Sequence, residues 1–281
     1  MNNPGETNPA VDDMLVQSRI ALLDALDALA DHRDAVIIIG AQAVYLHAPP
    51  HLSPLAESTK DSDLAFDPRA LNESPLIEEA MSKAGFVPDP TSQQPGAWQT
   101  PVGIPVDLMV PAALAGPGGT KVRGARLPPH HKRAMRRAHG LEATIVDNVL
   151  MPVQALGAND TRSIQVKVAG PAALIVAKVH KIVERLSSPH RLNDKDAHDV
   201  YRLLKSVSTE DFVGGFTRLL QDEISQEATE SALKALREHV APGSESTISR
   251  MAGRAEEGIG EPETVALATA LLASDFLKEL P

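Results

Sequence analysis

The pattern of apolar and polar positions divides the chain near Gly170. Before that point, short apolar runs alternate with turns and helical stretches. After it, apolar residues recur at helical spacing. Asp12 to Asp31 carries Leu15, Ile20, Leu22, Leu23, Leu26 and Leu29 at intervals that predict an amphipathic helix. "AVIII" is β-branched and uninterrupted, which predicts a buried strand. "AQAVYLHA", after Gly40, predicts a short helix stopped by Pro49-Pro50. "DLAFD" reads as a strand, "PLIEEAMSKAG" as a helix with Gly85 as its C-cap, and "IPVDLMVP" as a strand closed by Pro111. Trp98, in "GAWQTPVG", falls in a predicted hairpin that leads into that last strand. "AALAGPGGTKVRGARLPPHHKRAMRR" is expected to begin as a loop and end as a basic helix, and "EATIVD" and "SIQVKVAG" to be two more strands. From Pro171 the helices are "PAALIVAKVHKIVERL", "DKDAHDVYRLLKS", "TEDFVGGFTRLLQDEIS", "ESALKALREHV" and "PETVALATALLASDFLKEL". The fold class is therefore α/β (α+β): a frayed tail over 1–10, a mixed-sheet core over 11–169 and a helical region over 170–281.

Composition narrows this picture. Of 281 residues, 43% are hydrophobic but only 3% aromatic, so the core must be built from Ala, Leu, Val and Ile. The absence of cysteine excludes disulfides, thiolate metal sites and thiol nucleophiles, and fits a cytoplasmic location. No apolar run approaches a membrane span, and "MNNPGETNPAVDD" has neither a basic start nor an apolar stretch, so no membrane partner and no signal peptide are expected. A net charge of -10 argues against nucleic-acid binding by the molecule as a whole. One segment departs from that balance. Lys121, Arg123, Arg126, Lys132, Arg133, Arg136 and Arg137 lie together with no acid between them. Such a local positive field suits an RNA backbone or a triphosphate. The alternative is a solvated helix face or a contact for an acidic protein.

The chemistry-bearing residues begin at "KDSDLAF". Residues i and i+2 of a strand share a face, so Asp61 and Asp63 project together with Ser62 turned away. Two carboxylates that close repel each other unless a cation lies between them, and Mg²⁺ with a substrate phosphate is the usual hard partner. Asp107 sits mid-strand in "VDLMV", where a lone carboxylate is costly. If its strand lies beside "DSDLAF", Asp107 completes a triad of acids that would clamp a triphosphate and activate a hydroxyl nucleophile. The bland alternative leaves Asp61 and Asp63 as loop acids facing water. Gly40, between a strand and a helix, allows a tight turn whose N–H groups, with those of Ala41 and Gln42, face a phosphate.

In the helical half, Lys178 falls on or beside the apolar stripe of Leu174, Ile175, Val179, Ile182, Val183 and Leu186. A lysine there either snorkels or meets an anion, whether a nucleotide phosphate or one of Asp196 and Asp199. Lys181 and Arg185 are better placed for solvent or a groove rim. Asp196 also reads as a first-turn acid that complements the helix dipole.

In this order the pieces resemble the nucleotidyltransferase superfamily that includes DNA polymerase β. More narrowly, they resemble the AbiEii- and MenT-type toxins, over about residues 35 to 205. The motif positions are Gly40, the pair Asp61 and Asp63, the third acid Asp107, then Lys178 with Arg185, and Asp196 with Asp199 as a second candidate. The resemblance implies transfer of a nucleoside monophosphate from an NTP, with Mg²⁺, to an acceptor hydroxyl. It further implies RNA as acceptor, notably a tRNA 3′ end, and a cognate antitoxin as a protein partner. Two departures stand out. Ala41 replaces the motif serine, and "HAPPHLSPLAEST" lengthens the gap before Asp61, as a lid or a substrate-selecting loop would. Transfer to a small molecule or a protein side chain, and nucleotide or partner binding without catalysis, are the other readings these residues allow.

Overall fold

The structure is a computed structural model, and it describes residues 9–48, 60–119 and 121–280. The first helix, α1 (Pro9–Ala28), begins three residues earlier than its apolar periodicity suggests. It leads into β1 (Val36–Ile39), whose four side chains are all buried. Burial of each such aliphatic side chain contributes roughly 1.5–3 kcal/mol. α2 (Gly40–His47) follows without an intervening loop, and β2 (Ser62–Phe66) returns antiparallel to β1. The insert proposed as a lid lies, from residue 49 to 59 and so including His51, outside the described residues. α3 (Ile77–Lys83) ends at Gly85, whose φ of +89 suits a glycine C-cap. β3 (Val87–Pro88) and β4 (Ala97–Gln99) then lead into β5 (Pro105–Pro111). β4 and β5 form the expected hairpin, and Trp98 packs in the core with its indole N–H donating to the Ala134 carbonyl at 3.0 Å.

Two readings of the middle of the chain are corrected, and one strand is added. The basic segment does not end in a helix. It crosses as an irregular loop and joins the sheet as β6 (Arg136–Ala138), parallel to the C-terminal half of β5. β4 covers only the first half of that edge, so the second half needs hydrogen-bond partners, and β6 supplies them. "EATIVD" is not a strand but the one-turn helix α4 (Glu142–Val146). The strand lies just after it, as β7 (Asn148–Gln154), antiparallel to β8 (Ser163–Ala169). Pro152 hides β7 from a sequence reading. β7 is the outer strand of the sheet, the place where a proline is tolerated.

The sheet has eight strands in the order β3-β4-β5-β2-β1-β8-β7, with β6 on β5. β1–β8, β2–β5 and β5–β6 are parallel and the other pairs antiparallel, so the sheet is mixed as expected. After Gly170 come α5 (Pro171–Arg185), α6 (Asp194–Ser206), α7 (Thr209–Gln221), α8 (Gln226–His239), α9 (Thr247–Arg254) and α10 (Pro262–Glu279). α9 is too short to announce itself in the sequence. Asp147 closes the junction between the halves. Its carboxylate accepts from the Ala173 N–H at 3.0 Å in the first turn of α5 and pairs with Arg218 at 3.2 Å. α5 and α6 pack on α2, and the buried apolar residues form one cluster that runs from the sheet into the helices. Phe212, Phe216 and Phe276 pack within it at tilted angles, with ring centroids 4.8–6.5 Å apart. No helix among the described residues is long and apolar enough to cross a membrane.

Candidate active site

The site is built where the C-terminal end of β1 meets the N-terminal ends of β2 and β5. Ile39 pairs with Asp63 across the antiparallel register, and Asp63 lies beside Asp107 across the parallel one. Gly40, Asp63 and Asp107 therefore line up across three adjacent strands, with Asp61 one step before β2. Ser62 points the other way. It is fully buried, and its hydroxyl donates to the Ser18 carbonyl at 3.0 Å. The strand alternation read from "DSD" is thus present.

Gly40 is required by space as well as by conformation. Its φ is +67, and a Cβ at this position would lie 2.1 Å from Asp63 Oδ2. Only glycine brings the turn this close to the carboxylate. α2 begins at Gly40 and Ala41 lies in its first turn. The Gln42 side chain is fully buried, with its amide committed to Arg19 at 3.0 Å and Ser18 at 2.8 Å. Its contribution to the turn is therefore confined to the backbone.

The three acids differ in surroundings. Asp61 is exposed, yet its carboxyl is pushed up, first by lost hydration and then by Asp63. Lys195, Lys181 and Lys178 lie near enough to pull it partly back. Asp107 is pushed up to about 6, mainly by burial, with Arg136 opposing and Asp63 and Asp61 adding to the rise. The Arg136 guanidinium donates to Asp107 Oδ2 at 2.7 Å, to Gln94 Oε1 at 3.2 Å and to Met109 Sδ at 3.2 Å. Gly96 lets the backbone of Arg136 come close, because a Cβ there would lie 2.5 Å from the Arg136 backbone nitrogen. Arg136, read from the sequence as an RNA contact, thus carries the counter-charge of the third acid.

The rest of the basic segment divides in the same way. The Arg137 guanidinium donates to the carbonyls of Ala112, Ala115 and Gly116 at 2.8, 3.1 and 2.6 Å, tying down the loop after β5. Arg133 donates to the Gln93 carbonyl at 2.8 Å while remaining exposed. Lys121, Arg123, Arg126 and Lys132 are exposed.

Lys178 is buried and meets two anions of its own chain. Its ammonium donates to Asp196 at 2.9 Å and to Asp199 at 2.6 Å. Burial works against its charge, but the two carboxylates outweigh that and raise its pKa. Burial likewise pushes Asp196 up. Lys178 and Lys181 more than offset this and hold its carboxyl well below the usual range. Of the two anion classes open to Lys178, the structure supplies the carboxylates. The more accessible cations are Lys181, 2.8 Å from Asp196, and Arg185, 3.7 Å from it. Sequence reasoning did not single out Tyr45 and Arg202, which close the cluster. Arg202 lies over the Tyr45 ring at 5.1 Å, and burial, then Asp199, pushes the Tyr45 hydroxyl up to about 12. Their only signal was a helical register placing Arg202 on the Asp199 side of α6.

Among the described residues no three His, Asp or Glu side chains converge as a ready-made metal cage. Asp61 and Asp63 suit a two-acid Mg²⁺ site completed by water and substrate phosphate, because the nearby Asp63 raises the cost of charge on Asp61. No family model, curated protein or solved structure matches the chain.

Proposed function

We propose that the chain is a nucleotidyltransferase that moves a nucleoside monophosphate from an NTP to an acceptor hydroxyl. The observation that carries this reading is the row of Gly40, Asp63 and Asp107 across β1, β2 and β5, with lysines of α5 and α6 beside Asp61. Asp61 and Asp63 would hold Mg²⁺, which when bound neutralises the transferring phosphoryl group and orients it. The N–H groups of the Gly40 turn seat the phosphates in place of the missing hydroxyl at Ala41. Lys181, Arg185 and Lys195 offset the triphosphate charge, on a platform held rigid by Lys178, Asp196 and Asp199. As the acceptor oxygen bonds to the α-phosphorus, Asp107 takes its proton. The bond to the bridging oxygen breaks and pyrophosphate leaves. A carboxyl near 6 is suited to that transfer close to neutral pH. Arg136 holds Oδ2, which leaves Oδ1 as the oxygen to take the proton.

The acceptor favoured by the exposed Lys121, Arg123, Arg126 and Lys132 is RNA, with a tRNA 3′ end as the leading case. The biological role that goes with it is that of a toxin held by an antitoxin. A second reading, NTP binding without turnover, is favoured by the Arg136 that already occupies Asp107. One assay separates the two. Protein is incubated with Mg²⁺, each labelled NTP in turn and total tRNA, beside the variant Asp61→Ala/Asp63→Ala. Label is expected in RNA with one NTP and is lost in the variant. Mg²⁺-dependent NTP binding with no label in any acceptor supports the second reading.

A further inference from the structure

Arg19, in the middle of α1, is only 4% exposed. Its Nε donates to Gln42 Oε1 at 3.0 Å and its Nη1 to the Gln154 carbonyl at 2.8 Å. Both acceptors are neutral, and among the described residues no carboxylate pairs with this guanidinium. Among the described residues, these two neutral oxygens are the acceptors the guanidinium meets. Buried arginines are ordinarily compensated, because removing a charge from water is costly. Here lost hydration draws the pKa down to about 10, and no acid among the described residues draws it back.

A cavity of about 290 Å³ opens beside this group. Leu15 and Arg19, one turn apart on α1, form one wall. Tyr45 and Leu46 of α2 form the second, and Pro152 of β7 lies on the third. Leu156, 47% exposed, also lines the cavity. An aliphatic wall with one unmatched cation is complementary to an anion that carries a hydrocarbon body. A bare phosphate would satisfy the charge and leave the wall wet. The volume falls just below the range for drug-sized ligand pockets, about 300–1,000 Å³, as suits a small ligand.

We propose that this cavity binds a small aliphatic carboxylate, with its carboxylate on Arg19 and its chain along Leu15, Leu46 and Pro152. The site is separate from the acids of β2 but tied to them. Gln42, which accepts from Arg19, donates to Ser18 at 2.8 Å, and Ser18 in turn accepts on its carbonyl the hydroxyl of Ser62, between Asp61 and Asp63.

The test is calorimetric titration of the full chain, without NTP, using octanoate, 1-octanol and inorganic phosphate as probes. Octanoate is expected to bind one to one, with octanol at least about tenfold weaker, the scale of a charge-assisted hydrogen bond. Phosphate alone gives no binding. Arg19→Gln removes the preference for octanoate over octanol. Leu156→Trp, at an exposed lining residue, weakens both, and it decides the question if Arg19→Gln does not fold. Equal affinity for octanoate and octanol in the parent chain would overturn the proposal. So would octanoate binding that neither variant alters, or no binding at all. None of these readings depends on nucleotidyl transfer.

Discussion

Gly40 and Arg136 are the two residues on which the acid row most depends, and each can be tested by one substitution. Gly40→Ala forces a Cβ into the space of Asp63 Oδ2 and a side chain onto a φ of +67. A loss of about 1–3 kcal/mol in stability is expected, read by urea unfolding, and the labelling of RNA should fall with it. Arg136→Gln removes the charge that opposes burial at Asp107. The Asp107 carboxyl should then move above about 6, which a ¹³C titration of its carboxyl carbon reports. The sign for stability follows. A carboxyl raised on folding favours the folded state below its unfolded pKa and loses that contribution as pH rises through about 6. The variant should lose it over a higher window. At this scale Gly40, Asp61, Asp63 and Asp107 were legible, because strand alternation and a strand–glycine–helix junction are local patterns. Arg136 as the partner of Asp107 was not. The two are brought together by β6 joining β5, a long-range pairing that no local period announces.

Elements differ in how openly the chain declares them. The apolar runs of β1 and β8 and the stripes of α1, α5 and α6 were plain from spacing, because burial on one or both faces constrains every position. β7 was hidden by Pro152 and by an exposed pattern that includes Val149 and Leu150, as an outer strand allows. "EATIVD" was misread because β-branched residues favour a strand, whereas here Glu142 and Thr144 are buried within a short helix. The α5–α6 pair is held by charge as well as by apolar packing. Lys178→Met would leave Asp196 and Asp199 buried without their principal counter-charge, a change that costs roughly 3–5 kcal/mol. Its pH dependence should also invert. In the parent chain the depressed Asp196 stabilises the fold at neutral pH and loses that effect as acid protonates it. In the variant, acidification toward pH 4 should raise the unfolding midpoint relative to neutral pH.

Across the whole molecule the acidic balance and the basic loop work against each other. With a net charge of -10, the RNA acceptor we propose would meet a favourable field at the exposed stretch that includes Arg126 and Lys132. Arg126→Glu/Lys132→Glu should weaken tRNA binding uniformly across sequences and flatten its dependence on log salt by about two, one per lost phosphate contact. Filter binding at several salt concentrations checks this. The division into a mixed sheet and a helical half was legible from the change in period at Gly170. The joining of the two halves by one core was not.

The placing of β1 reaches further. Its neighbours in the sheet are β2, some two dozen residues later, and β8, which begins at Ser163. A growing chain therefore synthesises Gly40, Asp61, Asp63 and Asp107 long before one edge of β1 is covered, and before any lysine of α5 exists. Until the ribosome has passed the second of these strands, the half-made protein carries an open, aliphatic ribbon ready to recruit whatever strand comes first. The interval is one in which a chaperone, or an early-binding partner, has most to offer this chain.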